Sequence, residues 1–493
     1  MKSRTWLRTF SAISITLGLI VCDLVVYIDP YMHYHKPIIT KFYYELDSQR
    51  YQNDGITKYF DYDAVITGTS MTGNFKTSEM DELFGCKSIK VSYNGASPKE
   101  INDNLKVALE YHPNIRYVIR GLDGYGFNHD KDGMCDSLGQ IPYYLYDNNL
   151  FNDVEYLFNR DVLYDRIWNM IKEPKNGKKV GITSFDSYSN WMRHSSFGRT
   201  VVLEELKKKG IERFEYAEQN VTLTDEERDR IRENVEQNIT DIAGAYPNVE
   251  FYYFLPPYSV AYWGDLYQNG VLKKTMEIYE YAISLMVLHS NIHLFGWECF
   301  ELISDLNNYS DTMHYGEWIN SWMLKQMSMD TGRLTKDNYR DYVSTIYNYL
   351  ESFDYNTLWK QTDYDADYYA AGLLNKEISG VEPLEIRMSS LQKIQRKEGM
   401  GLILYIDVSR YRTLIFYGKK SDNIDPPIVE LLSISGEHID TNIIPCYDGD
   451  DVWHQYSVDL SDIHDKISII FNRRCYDIGN NEKSCEIKDI ILY

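Results

Sequence analysis

The chain has 493 residues, 44% hydrophobic and 25% charged, an ordinary composition for globular material. Its 51 basic and 73 acidic residues leave a formal net charge of −22, which argues against a nucleic-acid partner and against attraction to a flat anionic membrane surface. The length is more than one domain usually needs and suggests two or three.

Lys2, Arg4 and Arg8 precede a run, Thr9 to Ile28, that is apolar apart from hydroxyls and Asp23. A run of about 20 such residues crosses a bilayer as a helix. The basic residues ahead of it predict a cytoplasmic N-terminus, a single pass through the cell membrane and an extracytoplasmic bulk. A cleaved signal peptide is the rival reading, but no small-x-small site follows, so residues 1–30 are expected to stay as an uncleaved anchor. Asp29-Pro30 should end the helix. Residues 31–54 read as a membrane-proximal linker; His33 and His35 lack the acidic or Cys neighbours that would complete a metal site.

Residues 55–353 alternate strand-like and helix-like segments. The strands are expected at Ala64–Thr67, Ser88–Val91, Tyr117–Ile119, Val249–Leu255 and Ile292–Phe295, which implies a parallel sheet with helices on both faces. The first strand leads into Gly68-Thr69-Ser70-Met71-Thr72-Gly73. A Gly there permits a tight turn that leaves Ser70 just beyond the carboxyl end of the strand, where open α/β sheets bind ligands. A serine so placed suits a nucleophile, and equally a solvated turn. Ser97-Pro98-Lys99-Glu100 has the form of a capping box that starts a helix to Tyr111, and Thr224-Asp225-Glu226-Glu227 repeats it before a charged helix to about Ala245.

About 130 residues separate the third and fourth strands (249 minus 119), far more than a crossover helix requires. An insertion at about 125–245, rich in Tyr, Asn and Asp to Gly198, is expected to roof the site. Within it Arg193 is a candidate substrate contact, or simply a surface residue. Asp311-Thr312-Met313-His314 then follows the last sheet strand. An Asp three residues before a His lets one turn present both groups, the His as base and the Asp as its orienter. Read singly, Asp311 could equally cap the next helix.

Together these blocks resemble the SGNH/GDSL hydrolases, in particular membrane-anchored bacterial members linked to acylation of cell-surface glycans. Gly68-Thr69-Ser70 is similar to the first block, where the family has Gly-Asp-Ser. Asn94-Gly95 is similar to the second, and Asp311 to His314 to the last. The resemblance implies a flavodoxin-like parallel sheet with catalytic Ser70, Asp311 and His314, and an oxyanion hole from the N–H groups of Ser70 and Gly95. The third block is altered: Gly121-Leu122-Asp123-Gly124 puts Asp123 where the family has an Asn donor, and an ionised Asp only accepts. Asn94 is then the candidate replacement, the alternative being a weaker hole. Asp123 and Tyr258, in the Pro256-Pro257-Tyr258 loop, become candidate substrate contacts.

Asp354 to Ala371 is polar and rich in Tyr and Asp, so 354–375 reads as a second linker. Strand-like runs recur at Leu402–Val408, Thr413–Tyr417, Ile428–Ile434, Trp453–Val458, Ile467–Phe471 and Ile487–Leu492, which suggests a β-sandwich over 376–493. It resembles the jelly-roll modules found beside carbohydrate-active enzymes. Cys475 and Cys485 flank a hairpin-like stretch and are a candidate disulfide. No phosphate loop, dinucleotide fingerprint or metal cluster is present in the sequence, so no cofactor or metal is expected. The 44 Tyr suit sugar or interface contact, although compositional habit explains them as well. The expected activity is that of a serine esterase or O-acyltransferase on a cell-surface polysaccharide, with a membrane-bound acyltransferase as candidate partner. The alternative is an inactive relative that binds glycan or serves as an envelope scaffold.

Overall fold

The structure, a computed structural model, describes residues 2–359 except 136–140, 148, 176–179, 193–194 and 196, and the backbone of a set of strands between 384 and 492. The N-terminal helix, Lys2–Ile28, is long and apolar enough to cross a membrane, as a signal sequence also can be. It stops where Asp29 turns into the left-handed region (φ 48°) ahead of Pro30.

Residues 31–54 are not a tether. Tyr31, Met32, Tyr44 and Leu46 belong to the main core, and Gln49–Tyr59 is a helix. The buried Asp29 carboxylate organises the stretch by accepting from the N–H groups of His33 (3.0 Å), Tyr34 (2.7 Å) and His35 (3.1 Å) and from the Tyr156 hydroxyl (2.8 Å). A short strand β1 (Tyr43–Tyr44) pairs with β5 (Gly181–Ile182) of the insertion. The segment is ordered by hydrogen bonds instead of an apolar period, so its composition imitates a linker.

The main sheet uses β2 (Ala64–Gly68), β3 (Ser88–Ser92), β4 (Tyr117–Gly121), β6 (Glu250–Phe254), β7 (Ile292–Phe295) and β8 (Arg333–Leu334), in the order β3-β2-β4-β6-β7-β8. The first five are parallel, as their buried apolar runs imply, and β8 adds an antiparallel edge. Every residue of β2 and β3 is buried, which requires cover on both faces. By chain position the parallel strands run 2-1-3-4-5, so connections leave β2 toward opposite sides and a crevice opens between the carboxyl ends of β2 and β4.

The flanking helices start where the chemistry requires. Ser97 caps Pro98–Tyr111 by accepting the Glu100 N–H (3.2 Å), but the reciprocal half of the box is absent because the Glu100 carboxylate forks onto Arg50 (2.6 and 3.0 Å). Thr224 and Glu227 form the complete box ahead of Asp225–Val235, and a π-helical turn, Glu236–Thr240, carries the chain to Ala245. After the last long helix, Tyr339–Ser352, the core continues past 354: Tyr355 and Leu358 are buried in it, so a linker can begin only beyond Trp359. Farther on, a strand falls on each of the six stretches expected there, Val408 and Ile434 lying outside the described residues, and the strands pair into two antiparallel sheets. Cys475 lies outside the described residues.

Candidate active site

The β2 strand ends at Gly68, whose φ of 144° and surroundings both demand glycine; a Cβ would meet the Thr72 side chain at 2.7 Å. The chain then makes a single 3₁₀ turn, Ser70–Thr72, braced by Thr69. Thr72 donates its hydroxyl to the Thr69 carbonyl (2.8 Å) and shares a hydrogen bond with the Ser92 hydroxyl (2.8 Å). Behind the turn, the buried Lys90 Nζ donates to the carbonyls of Gly73 (2.5 Å) and Phe75 (2.7 Å). Ser70 is thereby fixed at the crevice, half-buried.

His314 Nε2 lies 2.7 Å from Ser70 Oγ, and His314 Nδ1 lies 2.6 Å from Asp311 Oδ2. The other Asp311 oxygen accepts the N–H groups of Met313 and His314, both at 2.7 Å. An ionised carboxylate only accepts, so Nδ1 carries the proton and Nε2 presents its lone pair to the serine hydroxyl. The loop is clamped from both sides: Glu205 accepts the Thr312 N–H (2.9 Å) and Ser259 donates to the Thr312 carbonyl (2.7 Å). Burial works against charge on His314, but the hydrogen bond and charge of Asp311 outweigh it, with Asp123 and Glu205 adding, so its pKa is raised above 6.5. Burial also opposes ionisation of Asp311, yet its bonds from His314 and the two backbone N–H groups pull its pKa down.

Gly95 takes φ 60° in the loop after β3, and the Gly68↔Ser92 pairing sets that loop beside the Ser70 turn. Among the described residues, neither the Ser70 nor the Gly95 N–H donates to another group of the protein. Asn94 is held by Gln49. Its backbone N–H donates to Gln49 Oε1 (2.7 Å), which fixes the orientation of that amide; Gln49 Nε2 then donates to Asn94 Oδ1 (3.1 Å). The Asn94 Nδ2 group is left as a donor with no partner among the described residues, while its backbone N–H is already used.

Asp123 and Tyr258 are both buried and hydrogen-bonded to each other. Tyr258 is fully buried and its hydroxyl donates to Asp123 Oδ1, while Thr69 donates to Asp123 Oδ2 (2.7 Å). Asp123 therefore ties the residue before the nucleophile to the β6 loop and offers no donor to an oxyanion; burial raises its pKa. A cleft lined by Thr69, Ala96, Gly121, Asp123 and Tyr125 opens beside this network. Arg193 lies outside the described residues.

The insertion does reach the site, through Trp191 of the Trp191–His194 stretch, which reads in sequence as substrate contacts or as packing and whose partner is invisible locally. Trp191 donates its indole N–H to the Ser70 carbonyl (2.9 Å) and stands edge-on to His314 (5.2 Å, 83°). Phe197 stacks on Trp191, and Trp318 packs on Phe197. Gln49, Glu205 and Ser259 were likewise invisible, since each acts over a long stretch of chain; only the chemistry-bearing short motifs could be found locally. Among the described residues no cluster of His, Cys, Asp and Glu could hold a metal.

No family model matches the chain, and no curated protein does. Among solved structures it is similar to a Streptococcus pneumonia protein provisionally described as a platelet activating factor. The identity is 11% and the TM-score 0.28, over 60% of this chain and 91% of that one. A likeness that shallow assigns no activity.

Proposed function

We propose that this chain is an extracytoplasmic serine esterase or O-acyltransferase of the SGNH/GDSL kind, acting on acyl groups of a cell-surface polysaccharide. The observation that carries the reading is the unbroken relay Ser70 Oγ, His314 Nε2, His314 Nδ1, Asp311 Oδ2, with both links at hydrogen-bond length. It is the arrangement that makes a serine hydroxyl nucleophilic. The SGNH/GDSL assignment rests on the motif blocks and on the sheet edge at which they sit. The surface location rests on the apolar N-terminal helix. The two antiparallel sheets beyond 384 support reading 376–493 as a β-sandwich module on the same chain.

In this mechanism Ser70 Oγ attacks the acyl carbonyl carbon while its proton passes to His314 Nε2. The carbonyl π pair moves onto oxygen, which the N–H groups of Ser70 and Gly95 receive, with Asn94 Nδ2 as the third donor. Collapse breaks the bond to the leaving sugar oxygen, which takes the proton from His314, and leaves the acyl group on Ser70. Water or a second sugar hydroxyl then gives its proton to His314, attacks the same carbon and returns Ser70. Asp311 stabilises the imidazolium in both halves. A membrane-bound acyltransferase would be the natural donor if transfer is the outcome.

A fluorophosphonate probe tests the reading. Wild type should label at Ser70, with labelling abolished in Ser70→Ala and strongly slowed in His314→Ala. A folded wild-type protein that fails to label would favour the binding or scaffold reading, in which Asp123 replaces an oxyanion donor because none is needed.

A further inference from the structure

The outer part of the N-terminal helix does not stand free. Its residues Gly18, Val21, Cys22, Val25 and Ile28 form one face that is covered by the body, and Val25 and Ile28 are fully buried. The cover comes from Val154–Leu157 and Val162–Ile167 of the insertion. At the deepest point the Phe158 ring sits 4.0 Å from where a Gly18 Cβ would be.

Length decides what this means. A hydrocarbon core of about 30 Å needs about 20 helical residues at 1.5 Å each. If everything from Gly18 onward stood clear of the membrane, Ser3 to Leu17 would have to span alone, about 22 Å, with Arg4 and Arg8 inside it. A span of the needed length, for example Trp6 to Val25, keeps Arg8 and Asp23 each within about 3 Å of an end and puts Gly18 about 10 Å below the outer edge of that core. Phe158 then sits at the same depth.

The elements that cover the helix, and the residues next to them, carry the side chains such a position wants. Leu150, Phe151, Val154, Phe158, Tyr164 and Trp168 are each at least half exposed, Phe151 at 91%. Aromatic and apolar residues of this kind sit at the membrane–water boundary and bury about 5–10 Å into it. Glu155, Arg160, Asp161 and Asp165 are interspersed and exposed, so the attraction is apolar burial and not charge, and the segment stays at the boundary. We propose that residues 150–168 form a lipid-facing collar that dips into the outer leaflet around the anchor helix. The inference rests on the anchored reading given above. With the Asp29 hydrogen bonds locking the helix to the body, the collar holds the Ser70 crevice at one height and tilt over the bilayer. Acyl donors and acceptors must come to that height to react.

The test uses the full chain in phosphatidylcholine nanodiscs containing lipids with a nitroxide on the acyl chain. A fluorescent amino acid replaces Leu19, Phe151, Tyr164 or, as a solvent control, Tyr216, one at a time, in protein that still labels at Ser70. Lipid quenching of at least twofold at 19, 151 and 164, with none at 216, is the expected result. Quenching at 19 without quenching at 151 and 164 overturns the collar and leaves the anchor standing. If iodide in the water then quenches 151 and 164, they face solvent; if neither quencher reaches them, protein covers them. Absence of quenching at 19 overturns the anchor itself, and the collar with it.

Discussion

His314 answers to three carboxylates at once: Asp311 in direct contact, and Asp123 and Glu205 farther away. Because its folded pKa lies above 6.5, the neutral base predominates only above that raised value, and kcat/KM should rise with pH along a limb whose midpoint exceeds 6.5. For the same reason its charged form adds stability that is complete below about 6.5 and is lost as pH rises through the folded value. Asp311→Asn should lower the midpoint and cut turnover on the order of 10⁴, because the amide stabilises the wrong tautomer. A pH–rate profile of that variant with an unshifted limb would assign the titration to another group. Asp123→Asn separates two roles. A residue that lacked only a donor would be improved by it, by part of about 10²–10³. Here both oxygens already accept from hydroxyls, so the amide nitrogen would face a donor. The expected result is lower activity, destabilisation of roughly 1–3 kcal/mol in thermal melts, and a lower His314 midpoint.

At the scale of elements, strands and turns differ in how openly the chain declares them. The strands β2, β3, β4, β6 and β7 are short buried apolar runs and could be read directly. So could Ser70 and the Asp311–His314 pair, since each motif is local. Residues 31–54 could not: their order comes from Asp29 beside them, itself held by Tyr156, and from Asp153, which bonds to His33 and Tyr34; Tyr156 and Asp153 are far away in sequence, and nothing periodic marks the stretch. The two-residue β8 is too short to carry a pattern. Lys90 is the clearest case of a residue whose meaning is tertiary. A lysine in the middle of a strand looks like a solvated position, yet it is fully buried and pins the loop behind Ser70. Burial pushes its pKa down to about 7. A neutral amine keeps two donors, enough for its two short bonds. From about pH 7 to 10.5 the unfolded chain holds a proton that the folded one has released, so the contribution of Lys90 rises with pH across that window. Lys90→Met should destabilise by about 1–3 kcal/mol per stranded carbonyl, and the gap to wild type in melting temperature should be wider at pH 9 than at pH 7. A gap that narrows would mean that the lysine stays charged. Gln49→Leu tests the other brace: it frees the Asn94 side chain and should lower kcat with little change in melting temperature. A variant with unchanged kcat would remove Asn94 from the oxyanion site.

For the whole molecule, the order of the sheet explains why two distant motifs meet. The crevice forms where β2 and β4 diverge, and Ser70 and Asp123 leave those two strands. The Asp311–His314 loop closes over them after the five parallel strands, ahead of the antiparallel edge strand β8. The insertion reaches both the site and the N-terminal helix, the first through Trp191 and the second through Val154–Leu157 and Val162–Ile167. An uncleaved anchor predicts that the mature protein keeps Met1 to Ile28 and stays with membranes after carbonate washing; a soluble product starting near Pro30 would show that the helix is a signal. The central claim is that Ser70 carries the acyl group. Incubation with an activated ester such as p-nitrophenyl acetate, acid quench and peptide mapping test it directly. The account predicts an acyl adduct on the Ser70 peptide that forms in wild type, builds up far more slowly in His314→Ala and is absent in Ser70→Ala. An adduct elsewhere, or turnover that survives in Ser70→Ala, would contradict it.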